Sequence, residues 1–168
     1  MKNLKSLLLI AVFTLGVVGF ANAQKVGHID FEKLVAEMPQ TKTLKLDMEK
    51  LGKSYQDEIT AMGKKIEATQ KKYVAESESQ TNETNDKRAQ ELQGEAAKIE
   101  QARKFAYQDM QKQQNEGLKP IIEKAQKAIE EVAAAKGVLY VLDASIGKGL
   151  LVKKGEDLYA AVKAKLGF

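Results

Sequence analysis

The chain has 168 residues, room for one domain or for one domain with an extension. It carries 27 Lys and Arg against 23 Asp and Glu, a single histidine and no cysteine. This composition excludes a disulfide framework, thiol chemistry and a zinc site built from His and Cys. The charge balance is too mild to argue for a specific nucleic-acid binder.

The first residues read as a targeting segment. Lys2 and Lys5 precede an apolar run from Leu7 to Phe20, interrupted only by Thr14 and two glycines. Ala21 and Ala23 then supply small residues at the two positions a signal peptidase reads. The order predicts a cleavable secretory signal over residues 1–23, cut between Ala23 and Gln24. At about 14 residues the apolar run is short of the roughly 20 that a membrane span needs. Cleavage leaves a chain of about 145 residues with a net charge of about +2, since two lysines depart with the signal. No cysteine follows the site, which argues against a lipoprotein. The lysine-bearing start and A-x-A site point to bacterial export, and hence to the periplasm.

A first strand is expected from Val26 to Phe31, with Ile29 and Phe31 on one face. Glu32 to Met38 reads as a helical turn, and Pro39 suits the first turn of the next helix. From there apolar or aromatic residues fall at Leu44, Met48, Leu51, Tyr55, Ile59, Met62, Ile66 and Tyr73. An eleven-residue grouping fills eight of nine positions, with Gln70 the exception. A strict heptad begun at Leu44 places Glu58 and Lys65 in the seam. The eleven-residue period predicts a nearly straight or slightly right-handed helix pairing. The stripe ends at Ser77 to Asp86, whose side chains compete for backbone hydrogen bonds and favour a turn. A return helix begins near Asp86, with Ala89, Leu92, Ala96, Ile99, Ala102, Ala106 and Met110 as its stripe. Pro120 should kink it near Glu116, and Gly117 and Pro120 together mark an arm hinge. Beyond Pro120 the apolar face widens to include Ile121, Ala125, Ile129 and Val132, and Gly137 caps the end. Val138 to Leu142 is continuously apolar and reads as a strand covered on both faces. Leu150 to Val152 reads as another strand, and Asp157 to Leu166 as a final amphipathic helix.

The fold class is therefore α+β and mostly helical: a long antiparallel helical hairpin on a small β-containing oligomerisation body. Residues 24–38 and 118–168 form the body. Residues 39–117 form the arm, with its tip near 77–86. A sheet this small is marginal in water by itself, so self-association through the base is expected.

No constellation for catalysis emerges, and the chain is not expected to be an enzyme. His28 is alone, and no hydroxyl has a recognisable base partner. Gly147-Lys148-Gly149 lacks the rest of a phosphate loop and reads as a turn. Lys64, Lys65, Lys71 and Lys72, with Lys87, Arg88, Arg103 and Lys104 on the return arm, alternate with acids as a solvated helical surface does. The functional alternative for this surface is contact with anionic lipid. Met62 and Met110 suit adaptable contacts but are better read as seam packing.

These pieces together resemble the Skp/OmpH family of periplasmic chaperones. The likeness rests on the signal, Val26-Gly27-His28-Ile29-Asp30, Met38-Pro39, the charged hairpin and Leu118-x-Pro120-Ile121. It continues through Ala128-Ile129-x-x-Val132-Ala133 and Val138-Leu139-Tyr140-Val141-Leu142-Asp143. Asp157-Leu158-Tyr159 stands where the family often carries Asp-x-Thr. The resemblance implies a homotrimer whose strands share one body and whose arms enclose unfolded outer-membrane proteins, without ATP or any cofactor. A structural coiled-coil protein of the envelope is the alternative reading.

Overall fold

The computed structural model describes residues 25–168; the expected signal and its cleavage residues Ala21, Ala23 and Gln24 lie outside the described residues. Strand β1 spans Lys25–Ile29 and helix α1 Phe31–Glu37. Asp30 starts α1 because its carboxylate accepts the Lys33 N–H at 2.9 Å. Met38 interrupts, and Pro39 opens α2, Pro39–Glu76, at the position where a missing N–H costs nothing. A short 3₁₀ turn, Ser77–Ser79, follows. Thr81 caps α3, Asn82–Lys136, by accepting the Thr84 N–H at 3.2 Å. The reversal is thus four residues tighter than the sequence suggests, and α3 starts at Asn82 instead of Asp86.

Helix α3 runs without a break through Pro120. Pro120 cannot donate to the Glu116 carbonyl, yet both residues are exposed, so water can serve that oxygen. The helix is therefore continuous in its assignment on both sides of Pro120. The helix ends at Gly137, which adopts φ 66° and donates its N–H to Ala133 and Ala134. Strands β2, Val138–Asp143, and β3, Glu156–Asp157, and helix α4, Tyr159–Leu166, complete the chain.

The sheet order is β2-β1-β3, all parallel. Helices α1 to α3 form the long crossover that parallel strands require. Leu34, Met38, Leu158 and Val162 are fully buried, and Ile29, Ile121, Ala125, Ala128 and Val132 surround them. The core therefore sits at the base, where the widened face of α3 meets α1, α4 and one side of the sheet. Ion pairs close its edges: Lys163 to Glu37 at 2.6 Å, Lys136 to Glu156 at 2.6 Å and Lys165 to Glu131 at 2.7 Å.

Two strand expectations need correction. Leu150–Val152 is not a strand: β1 already has Glu156 and Asp157 on that side, and the apolar run has no strand partner among the described residues. β2 is not covered on both faces. It is an edge strand, and Leu139, Tyr140 and Leu142 are exposed. The final helix also starts two residues late. The Asp157 carboxylate accepts the Tyr159 N–H at 2.8 Å and so marks its start.

Candidate functional site

The arm is two antiparallel helices that touch along a narrow seam. α2 has 38 residues, about 57 Å at 1.5 Å per residue, and buries none of them fully. Its half-buried positions include Met48, Gly52, Tyr55, Ile59, Met62, Ile66, Thr69, Tyr73 and Glu76. Those steps alternate four and three, which is a heptad. On α3 the matching set is Asn85, Arg88, Leu92, Glu95, Ile99, Ala102, Ala106 and Asp109. All eight apolar positions read from the sequence on α2, Leu44 and Leu51 among them, are half-buried. The differences are that Thr69 sits in the seam while Gln70 faces water, and that Ala89 and Ala96 are exposed while Arg88 and Glu95 take their places.

Most of the polar residues in the seam have a cross-helix partner, while Thr69 donates to its own helix at the Lys65 carbonyl and Glu95 pairs with Lys98 one turn on. Tyr55 donates to Asp109 at 2.8 Å and meets Phe105 edge-on, with ring centres 6.2 Å apart. Tyr73 donates to Glu91 at 2.7 Å. Arg88 donates to Glu76 at 2.6 Å and stacks over the Tyr73 ring at 4.4 Å. Asn85 donates to the Ser77 carbonyl at 3.0 Å across the tip. Each phenol is pushed above its ordinary range, Tyr55 chiefly by its hydrogen bond to Asp109 and Tyr73 by its bond to Glu91. Met110 fills the space above Gly52, and Met62 is half-buried in the seam, so both methionines serve packing.

Gly117 marks the root of the seam. A Cβ there would lie 2.5 Å from Leu44 Cδ1. The glycine lets Leu44 close directly on the α3 backbone. Pro120, three residues on, is exposed.

The arm also displays apolar side chains that are more than half exposed: Leu46, Val74, Tyr107 and Phe105, the last at the margin of the seam against Tyr55. A shallow groove of about 440 Å³ lies between the helices near the root. Leu44, Met48, Tyr107, Met110 and Leu118 line it, and Gln111 holds the Tyr107 hydroxyl at 2.6 Å. Most of the remaining surface is charged. Lys71–Glu67, Lys87–Glu83, Lys98–Glu95 and Arg103–Glu100 pair along their own helices, as a solvated face does.

The base carries the other open surface. A groove of about 840 Å³ beside α3 is lined by Ile29, Phe31, Ile129, Leu139 and Val141, among others. Its rim is ordered by Asp143, whose carboxylate accepts the Ser145 N–H at 2.9 Å and the Phe31 N–H at 3.4 Å. Burial pushes that carboxyl up, but the hydrogen bonds from Ser145 and Phe31 outweigh it and hold it below the ordinary range. The Tyr159 hydroxyl is buried without a well-formed hydrogen bond, and burial with Glu37 alongside pushes it up to about 12. Beyond β2 the chain exposes Ile146, Leu151 and Val152, the first two almost entirely. Gly147 and Gly149 take φ of 84° and 86° around Lys148, which pairs with Glu32 at 3.1 Å: this is a turn and not a phosphate cradle. His28 is buried in the central strand, and its Nδ1 has no partner.

Among the described residues, no group of His, Cys, Asp or Glu is placed to hold a metal ion. What the arrangement offers is extended surface: a stiff arm with scattered apolar contacts, and a base with uncovered apolar strands.

Comparison with known proteins follows the same lines. The family model for outer membrane protein (OmpH-like) matches residues 25–166. The crystal structure of a candidate outer membrane chaperone (OmpH-like) from Caulobacter crescentus CB15 superposes with a TM-score of 0.75. The two are 15% identical, over 84% of this chain and 83% of the other, so the likeness is one of fold. No curated protein sequence matches.

Proposed function

Because the chain belongs to the OmpH-like outer membrane protein family, we propose that it is an ATP-independent periplasmic holdase that keeps unfolded outer-membrane proteins from aggregating. The observation that carries this reading is the arm. Its two helices satisfy each other through the polar seam, yet Leu46, Val74, Phe105 and Tyr107 stay open along its length. Apolar residues spaced this way cannot form a deep specific pocket. They can make many weak, exchangeable contacts with an unfolded chain, which is what holding without an energy source requires.

Assembly through the base is part of the proposal. β2 has an unpaired outer edge, and an unpaired apolar edge is a template for another strand. The same chain carries Leu150 to Val152, apolar and outside any element among the described residues. One copy thus supplies an edge and the next a strand. That is a head-to-tail joint, which closes into a ring when the rotation allows. A homotrimer is the ring we propose, with three arms around a central space and hinges at Gly117 and Pro120. The expected signal over residues 1–23 delivers the chain to the periplasm.

The test is direct. A denatured outer-membrane barrel is diluted out of denaturant with the purified protein in molar excess, and turbidity is followed. Suppressed aggregation is expected. Unchanged aggregation refutes the holdase reading and leaves a structural envelope role. Light scattering should give three times the subunit mass.

A further inference from the structure

We propose that the groove at the root of the arm is a docking subsite for an extended segment of unfolded client, taking one aromatic side chain that has a carboxylate one or two residues away. This rests on the holdase reading above and narrows it to named residues. Leu44 and Met48 from α2 and Met110 from α3 form the floor. The floor is firm. Leu44 closes on Gly117, and the Met110 methyl lies 3.2 Å from where a Gly52 Cβ would stand, so the seam is shut beneath it. Tyr107 forms a wall, 65% exposed, with its hydroxyl held by Gln111 at 2.6 Å. From Thr41 to Met48 the groove runs about 10 Å at 1.5 Å per residue, the length of about three residues of extended chain. Its volume of about 440 Å³ lies toward the small end of binding clefts, which suits one large side chain and not several.

Three features choose the occupant. The thioethers of Met48 and Met110 and the ring of Tyr107 favour an aromatic side chain, through sulfur–ring and ring–ring contacts. At the rim Gln111 and Gln114 are exposed amides. Amides both donate and accept, as the main chain of an extended peptide requires. The third feature is charge. Among the described residues that line the groove, Lys45 is the one charged side chain and none is a carboxylate. Lys45 is exposed, and the nearby ion pairs, Lys50 with Asp47 and Lys112 with Glu116, do not include it. A segment with an acid near its aromatic residue is thus attracted, and one with a lysine there is repelled. The hollow around Val74 near the tip lacks this combination. Glu67 and Lys71 both line it, and Ala75 is the apolar neighbour it offers.

The experiment uses the chain from Gln24 onward with isotope-labelled methionine methyls, followed by NMR. The probes are short peptides of Ser and Thr that carry one Phe and one Glu two positions apart. Met48 and Met110 line the groove, whereas Met62 lies farther out in the seam and Met38 is fully buried in the base. On titration the Met48 and Met110 signals should move, and those of Met62 and Met38 should stay. Replacing the peptide's Phe by Ala should weaken binding at least about tenfold, and replacing its Glu by Lys about threefold. Lys45→Glu in the protein should invert the second preference. Equal movement of all the signals, no movement at Met48 and Met110, or a Lys45→Glu protein with the wild-type preference overturns the proposal. Movement on raising the protein concentration without peptide also overturns it, since the occupant is then a second copy. The barrel-aggregation assay on the same protein separates the two readings. Suppression without movement at Met48 and Met110 removes the groove and leaves the holdase. Movement without suppression supports the groove as a peptide site and refutes the holdase.

Discussion

Replacing Arg88 by Met tests whether the polar members of the seam hold the arm's tip closed. Met keeps a long apolar stem across the seam but removes the guanidinium. Three effects follow. Loss of the stacking over Tyr73, at 4.4 Å, costs about 0.5–1 kcal/mol. Loss of the pair with Glu76 costs up to about 1 kcal/mol and no more, because the carboxylate side chain is 37% exposed and screened by water. Against these, Arg88 Nη1 is buried without a partner, and removing it recovers about 1 kcal/mol. The net cost is at most about 1 kcal/mol, or up to roughly fivefold in an opening equilibrium. It should fall on the tip, since Arg88, Glu76 and Tyr73 all lie there while the Tyr55–Asp109 bond lies toward the root. Amide hydrogen exchange reads this residue by residue. Amides from about Tyr73 to Leu92 should exchange faster in Arg88→Met, by up to about fivefold, while those around Tyr55 and Asp109 keep their wild-type rates. Equal acceleration along the whole arm, or none at the tip, refutes the idea that the seam is closed locally by its polar pairs.

Gly117→Ala should destabilise the root although alanine is the better helix former by about 1 kcal/mol, because its Cβ meets Leu44 at 2.5 Å. Adding Leu44→Ala should then make the Gly117→Ala step stabilising, and denaturant melts of the four proteins check the reversal of sign. Asp143→Asn should cost about 1–3 kcal/mol at neutral pH, by weakening the acceptor for Phe31 and Ser145. Since the folded carboxyl is held below its ordinary value, its contribution is present above the unfolded value, near pH 4, and is lost as pH falls through the folded one. Wild type and variant should therefore converge in urea melts on the acid side of that window. Phe105→Ser combined with Tyr107→Ser should weaken suppression of barrel aggregation because both side chains are more than half exposed, at a cost of about 0.5–1.5 kcal/mol in the melt from the lost edge contact of Phe105 with Tyr55. Full retained suppression would remove these two residues from the client surface.

The legible parts of the fold were those written in large apolar residues or in backbone punctuation. Ile121, Ala125 and Val132 announce the buried root by their spacing, Pro39 announces a helix start, and Gly137 announces a helix end. The seam's register was illegible for a physical reason. Thr69, Glu76, Arg88, Glu95 and Asp109 occupy it, and counting apolar residues treats them as outward-facing. For Glu76, Arg88 and Asp109 that placement depends on partners in the other helix, Tyr55 for Asp109 and Tyr73 and Glu76 with Arg88, and no single-helix pattern contains that information. The third strand was missed for a similar reason. Leu150 to Val152 has the composition of a strand, but a strand also needs an edge to pair with. Glu156 and Asp157 hold the available side of β1 despite their poor strand propensity.

The polar seam also bears on how the arm could work. An arm closed by leucines alone would compete with any unfolded chain for the same kind of contact, and the client could pry it open. Here closure relies on directed bonds: Tyr55 to Asp109, Tyr73 to Glu91, Arg88 to Glu76. An apolar client segment cannot replace a phenol–carboxylate bond, so it gains nothing by entering the seam. It gains only from the outer residues, each worth little by itself. The arm thus separates the contacts that keep its shape from those left to bind, and that separation lets a 57 Å hairpin with no fully buried residue on α2 stay a hairpin while exposing apolar surface.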